Sequence, residues 1–236
     1  MAKKGSPKKQ KRLSTNKTRQ MKRKEYTFTV KLYPGPHNLT QSVPLGFMVR
    51  DLVGISSNMR ETKRILNEGK VKVDGKIRKE YKFPTGLFDL ISIEEKKENY
   101  RVIIDIKGRI KAIKIEEKKP VKLCKITGKK MHGKKIQLNT NDGRTFIENK
   151  TELKVGDTIK ISLPEQKIID KFTEKKGNLA YVTGGKHSGQ TAEIQEIIPG
   201  TINRYKTVKL KTKEKEFKTT ERNVFVVGEK KVEIEL

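Results

Sequence analysis

The sequence predicts an α+β chain that is mostly β, with one small helix pair in its first third and several small antiparallel units after it. Three observations lead there. Helical periodicity with start and stop signals is confined to residues 47–69. From residue 97 onward, short β-branched runs alternate with period two and are punctuated by Gly, Asn and Asp. Only 33% of the 236 residues are hydrophobic and 6% aromatic, with no Trp, so several small cores are expected rather than one deep one.

Residues 1–40 read as a basic arm followed by a Pro/Gly linker. The opening "MAKKGSPKKQKRLSTNKTRQMKRK" contains no acidic residue and almost no apolar one, so it cannot fold alone. Such an arm orders by lying along phosphates, with Lys3, Lys4, Lys8, Lys9, Lys11, Arg12, Arg19 and Arg23 as charge carriers. Pro34, Gly35, Pro36 and then Pro44 break regular structure before the first compact unit.

That unit spans residues 41–96. "FMVRDLVGI" predicts a short helix and "MRETKRILNEG" a second one, with Asn58 as N-cap, Glu61 three residues on and Gly69 as the stop. Met59, Thr62, Ile65 and Leu66 share its inner face, while Arg60, Lys63 and Arg64 recur at i, i+3 and i+4 on the outer one. "KVKVDGKIR" then reads as a hairpin turning at Asp74-Gly75, the dipeptide that tolerates the positive φ angles of a type I′ turn. Lys70, Lys72 and Lys76 project opposite to Val71 and Val73, so helix and hairpin offer adjoining basic surfaces. "LFDLISI" completes this sheet.

Residues 97–172 read as a central antiparallel β unit, with Asp142-Gly143 and Gly156-Asp157 as hairpin connections. Asp105, Asp142 and Asp157 stand beside glycines or in basic strands and are assigned turn or surface roles rather than acid–base work.

Residues 173–236 hold four or five strands, and so short a unit is expected to be a small, strongly curved barrel. Its "YVTGGKHSGQTAEI" invites a phosphate-loop reading that fails. A loop of that kind needs G-x-x-x-x-G-K-[ST] ahead of a helix, whereas Ala180 stands at the first glycine position, His187 follows Lys186, and a strand comes next. The glycines therefore connect two paired strands.

Charge bounds the partner. With 56 basic and 28 acidic residues the chain carries +28, a field that binds polyanions, nucleic acid first among them. No apolar run approaches the roughly 20 residues of a spanning helix, so no membrane partner is expected. Cys124 is the only cysteine and His37, His132 and His187 are scattered, which leaves no internal disulfide and no four-ligand metal site. The charged N-terminus lacks an apolar signal core, and a cytosolic protein is expected.

Two local patterns resemble known families. "RETKRILNEGKVKVDGKIR", residues 60–78, resembles the small RNA-binding module named after ribosomal protein S-four. "GNLAYVTGGKHSGQTAEI", residues 177–194, resembles a KOW motif of an SH3-like barrel. Their order, with "GPH" at 35–37, "FPTG" at 83–86, "DIKGR" at 105–109, "NDGRT" at 141–145, "VGDTIKI" at 155–161 and "NVFVVGE" at 223–229, is similar to the S-four-e family of small-subunit ribosomal proteins of archaea and eukaryotes. The arm "PKKQKRLS" and the sparsely charged "VRDLVGISSN" depart from that family's pattern.

The resemblance implies a structural, non-enzymatic constituent of the cytoplasmic small subunit. It implies no cofactor, metal or small-molecule substrate, and as partners small-subunit rRNA and neighbouring ribosomal proteins. RNA contacts are then expected at Lys8, Lys9, Lys11 and Arg12 of the arm and at Arg60, Lys63 and Arg64 of the helix. Lys70, Lys72, Lys76 and Arg78 around the hairpin and Gly184, Gly185, Lys186, His187 and Ser188 in the barrel loop complete the set. With shape, phosphates and 2′-OH groups as the main readout and few aromatics in the chain, base stacking is expected to be secondary.

Overall fold

Arg12 and Arg19 organise the arm. The computed structural model describes residues 9–116, 120–212 and 215–234, so Lys8 of the expected contact set lies outside the described residues. Strand β1 (Gln10–Lys11) pairs with β2 (Phe28–Thr29). The Arg12 guanidinium donates to the carbonyls of Lys22 (2.5 Å) and Phe28 (3.4 Å), and that of Arg19 to Val30 (3.2 Å) and Ser42 (3.4 Å). Both side chains are buried, and burial lowers the Arg19 pKa to about 10. These two arginines, read from the sequence as phosphate carriers, are thus committed to carbonyls of the arm and linker.

Beyond the linker, β3 (Val43–Pro44) leads into α1 (Leu45–Phe47), which continues as a π-helical turn over Met48–Leu52. The helix starts two residues before the sequence reading placed it and buries Leu45, Phe47, Met48 and Val49. Helix α2 (Met59–Asn67) begins at Asn58, whose side chain accepts from the Glu61 amide at 2.9 Å. Glu61 reaches back to the amide of Ser57, the residue before the cap (2.8 Å), so the helix start is tied in both directions. Gly69, at φ 78°, ends the helix in the left-handed conformation that glycine adopts without a Cβ clash.

The hairpin of β4 (Val71–Val73) and β5 (Lys76–Ile77) turns on Asp74 (φ 51°) and Gly75 (φ 78°), as the dipeptide predicts. After β6 (Pro84–Thr85), which pairs with β3, come β7 (Leu90–Ile93), β8 (Glu98–Ile104) and β9 (Ile110–Ile115). All five main strands share one sheet in the order β5-β4-β7-β8-β9. The 96/97 boundary drawn from the sequence therefore falls between two paired strands, because short turns after β7 and β8 carry the chain back onto the same sheet.

The central sheet has the order β12-β11-β10-β13-β14, with β10 (Val121–His132), β11 (Lys135–Thr140), β12 (Thr145–Glu148), β13 (Thr158–Ser162) and β14 (Ile168–Phe172). Asp142-Gly143 joins β11 to β12 as a hairpin. Gly156-Asp157 does not: β12 and β13 flank the β10–β11 pair, so the preceding loop crosses the sheet. Gly156 and Asp157 bond back to Ile126 at 3.0 and 2.8 Å.

The last sheet runs β18-β17-β16-β15-β19, built from β15 (Leu179–Val182), β16 (Thr191–Ile198), β17 (Thr207–Lys211), β18 (Glu216–Thr220) and β19 (Val224–Gly228). All of its pairings are antiparallel.

Among the described residues the buried hydrophobic side chains form two clusters. One contiguous cluster runs from Val43, Phe47 and Leu66 through Val71 and Val102 to Val182, Ile194 and Phe225. Phe88 is the connector. Its backbone stands at φ 63°, where its amide donates a hydrogen bond to the Val102 carbonyl (2.8 Å), and its ring packs edge-on against Phe225 with ring centroids 4.8 Å apart, and against Tyr181 at 5.8 Å. A second cluster centres on Cys124, Ile126, Leu138, Ile159 and Ile161 of the central sheet and takes in Leu90 of β7 and Ile115 of β9.

Candidate nucleic-acid interface

Helix α2 lays Thr62 and Leu66 inward and leaves Arg60, Lys63 and Arg64 exposed, the division its periodicity predicts. Arg60 has no carboxylate partner among the described residues, and the Lys63 ammonium stands 4.3 Å above the Tyr81 ring. Arg64 is paired with Glu68 one turn on (3.0 Å). That pair is solvent-exposed and screened, so it yields readily to a phosphate.

The hairpin lysines are less free than the sequence suggested. Lys70 bridges Glu68 (2.6 Å) and Glu95, and Lys72 pairs with Glu94. Hydrogen bonding to those carboxylates raises the Lys70 pKa. Lys76 is exposed without a carboxylate partner among the described residues, and Arg78 stacks on the Phe83 ring at 4.5 Å. Of the arm set, Lys9 and Lys11 are exposed, whereas Arg12 is buried as described above.

The strand-connecting loop between β15 and β16 separates its residues by role. Ser188 is buried and donates to the Gly185 carbonyl (3.1 Å), closing the loop on itself. His187 stacks on Phe217 with ring centroids 4.0 Å apart. A Cβ on Gly184 would stand 3.1 Å from Asn223 Oδ1, so this glycine is set by packing within the sheet. Gly185 (φ 90°) and Lys186 are the exposed pair, and they alone of the five expected residues face solvent fully.

Two groups escaped sequence reading. The first is the β10–β11 hairpin tip, where Lys130, His132, Lys134 and Lys135 are all exposed; the doublets in "GKKMHGKK" were its signal. The second is a buried ionic cluster. Lys122 Nζ lies 2.7 Å from Asp74, 2.5 Å from Asp89 and 3.1 Å from Asp142. Arg144 reaches Asp74 (2.6 Å) and Asp142 (3.3 Å), and His37 Nε2 reaches Asp89 (2.9 Å). Burial raises the carboxyl pKa values, but His37 and Lys122 beside Asp89, and Lys122 beside Asp142, outweigh it and hold both below the ordinary range. Asp142, assigned a turn or surface role, is a buried member of this cluster, since its turn folds back over β10 instead of facing water. The cluster joins linker, hairpin turn and central sheet; nothing in local spacing announces it.

Among the described residues no group of three His, Cys, Asp or Glu side chains is placed to hold a metal, and no helix is long and apolar enough to cross a membrane. What the surface can do chemically is bind polyanions.

Residues 96–168 match the model of the ribosomal family S4e. Over 97% of both chains, the sequence is 45% identical to small ribosomal subunit protein eS4 of Methanococcus vannielii. It is also 45% identical to the protein of that name from Methanocaldococcus jannaschii, over the full length of both. The crystal structure of the 30S ribosomal protein S4e from Thermoplasma acidophilum superposes with a TM-score of 0.69 at 38% identity, covering 80% of this chain and 95% of that one.

Proposed function

The chain belongs to the ribosomal family S4e, and on that premise we propose that it is a structural constituent of the small ribosomal subunit in the cytoplasm, binding rRNA through its basic surfaces and performing no catalysis. The observation that carries the RNA reading is the exposed row Arg60–Lys63–Arg64 on α2, together with an exposed Lys76 on the hairpin, in a chain of net charge +28. Neutralising phosphates there releases condensed counterions, which supplies affinity without sequence readout.

In this reading α1, α2 and the β4–β5 hairpin form the S-four-type module, its sheet extended by β8 and β9. The last sheet is the KOW-type SH3-like barrel, contacting RNA at Gly185 and Lys186. The arm adds Lys9 and Lys11. The units proposed from the sequence, 1–40, 41–96, 97–172 and 173–236, are retained with that one extension. Neighbouring small-subunit proteins are the further partners.

The test is sedimentation from a gently lysed cell. The protein is expected with the small subunit and to leave it only at high salt; sedimentation as a free monomer overturns the proposal.

A further inference from the structure

Between the arm and α2 lies a cleft of about 930 Å³ whose walls alternate cations and aromatic rings. On the arm side, Lys9 Nζ stands 5.4 Å from the Phe28 centroid and the Arg12 guanidinium 5.0 Å from that of Tyr26. On the opposite side, Lys63 covers Tyr81 at 4.3 Å, and Lys82 lies 5.4 Å from Tyr81 and 4.4 Å from Tyr33. Tyr26, Phe28 and Tyr33 are 65%, 49% and 48% exposed, a large area of ring for a chain with so few aromatics.

We propose that this cleft binds unpaired RNA nucleotides, with phosphates on Lys9, Lys63 and Lys82 and bases stacked on Tyr26 and Phe28 within it and on Tyr33, which lies outside its lining on the far side of Lys82. The proposal rests on the RNA-binding reading above and adds which RNA and how. An ammonium resting on a ring has an attractive quadrupole beneath it but no anion, so its charge stays available to a phosphate. Exposed rings are of no use to a duplex, whose bases are already stacked on each other; splayed single-stranded bases present free faces. The two carboxylates that line the cleft, Glu25 and Asp51, are engaged by Arg12 and Arg50, which leaves the ammonium groups of Lys9, Lys63 and Lys82 without a carboxylate partner among the described residues. Stacking thus has a located site, where composition gave it a secondary part.

The test uses the purified full-length chain, a labelled unstructured ten-nucleotide RNA and a duplex of the same sequence. Replacing Tyr26, Phe28 or Tyr33 by Ala is expected to weaken single-strand binding roughly five- to hundredfold per ring, the range of one base–aromatic stack. Duplex affinity is expected to stay unchanged, and Tyr26→Phe, which keeps the ring, to retain the single-strand binding that Tyr26→Ala loses. Ultraviolet crosslinking of a 4-thiouridine oligonucleotide to the unaltered chain, needing no variant, is expected to label residues 26–33. Equal losses for duplex and single strand, no loss, or crosslinks confined elsewhere overturn the proposal. An acidic aromatic peptide that displaces the oligonucleotide and shows the same ring dependence overturns it in favour of a protein partner. If the unaltered chain binds neither RNA, the RNA reading falls as well; if it binds the duplex and ignores the rings, only the cleft proposal falls.

Discussion

The ammonium of Lys122, on the first strand of the central sheet, lies 2.7 Å from the carboxylate of Asp74, the residue that turns the basic hairpin. Both side chains are buried, and the contact fixes how the central sheet sits behind the module. Asp89 and Asp142 share the same ammonium, so its removal leaves three carboxylates with Arg144 and His37 alone. Lys122→Met is therefore expected to cost about 3–5 kcal/mol, the usual penalty for an uncompensated buried charge. Urea unfolding measures it, and a loss under about 1 kcal/mol would show the cluster to be solvated.

The same cluster sets a pH window. Asp89 and Asp142 titrate below the ordinary carboxylate value because His37 and Lys122 outweigh burial. Their contribution is full above about pH 4 and is lost as pH falls through their folded values. On the alkaline side, burial pushes the Cys124 thiol up and the Tyr181 phenol to about 12, while Asp89 and Asp74 outweigh burial to hold Lys122 high. Groups raised in this way contribute fully below their unfolded values and lose that contribution as pH rises through the folded ones. The thermal midpoint is expected to be flat from roughly pH 5 to 8 and to fall on both sides. A midpoint that rises into alkali contradicts this assignment.

Gly189 closes the β15–β16 loop at φ 75°, and a Cβ there would stand 2.5 Å from the Asp105 carbonyl carbon and 2.6 Å from the Ile106 nitrogen. Backbone cannot swing aside as a side chain does. Gly189→Ala is expected to cost about 2–4 kcal/mol, from left-handed strain plus overpacking against the 105–106 turn. Thermal unfolding reads it; Gly185→Ala, whose nearest neighbour is Asn223 Nδ2 at 3.8 Å, should show the smaller loss due to conformation alone.

On the face proposed to meet RNA, replacing Arg60, Lys63 and Arg64 together by Gln is expected to leave folding within about 0.5 kcal/mol, since all three are exposed. RNA affinity should drop, and its salt dependence should flatten by about 0.7–0.9 log units per log of salt for each phosphate that is no longer neutralised. An unchanged slope would place this helix face against solvent.

Much of this was open to local reading. The span and caps of α2, the Asp74-Gly75 turn and the last sheet's four or five expected strands, of which the structure has five, follow from spacing, cap chemistry and alternation, all of which act over a few residues. The same holds for the rejection of the nucleotide loop, which rests on Ala180 and His187. What local reading missed is non-local. Arg12 and Arg19 looked like any arm cation until Lys22, Val30 and Ser42 supplied their carbonyls. Strands β8 and β9 look like strands of any sheet.

The sequence by itself determined the mostly β class, the basic face of α2 and the net charge of +28, because propensity, periodicity and net charge are properties of short stretches or of the whole sum. Only the tertiary structure decided which cations are spent inside, that Phe88 fuses module and last sheet into one core, and that Lys122 gathers three aspartates far apart in the chain. Desolvation is the physical reason. A lysine or aspartate reads the same in a string whether water or a buried counter-ion surrounds it, and only the packed chain sets which of the two it meets.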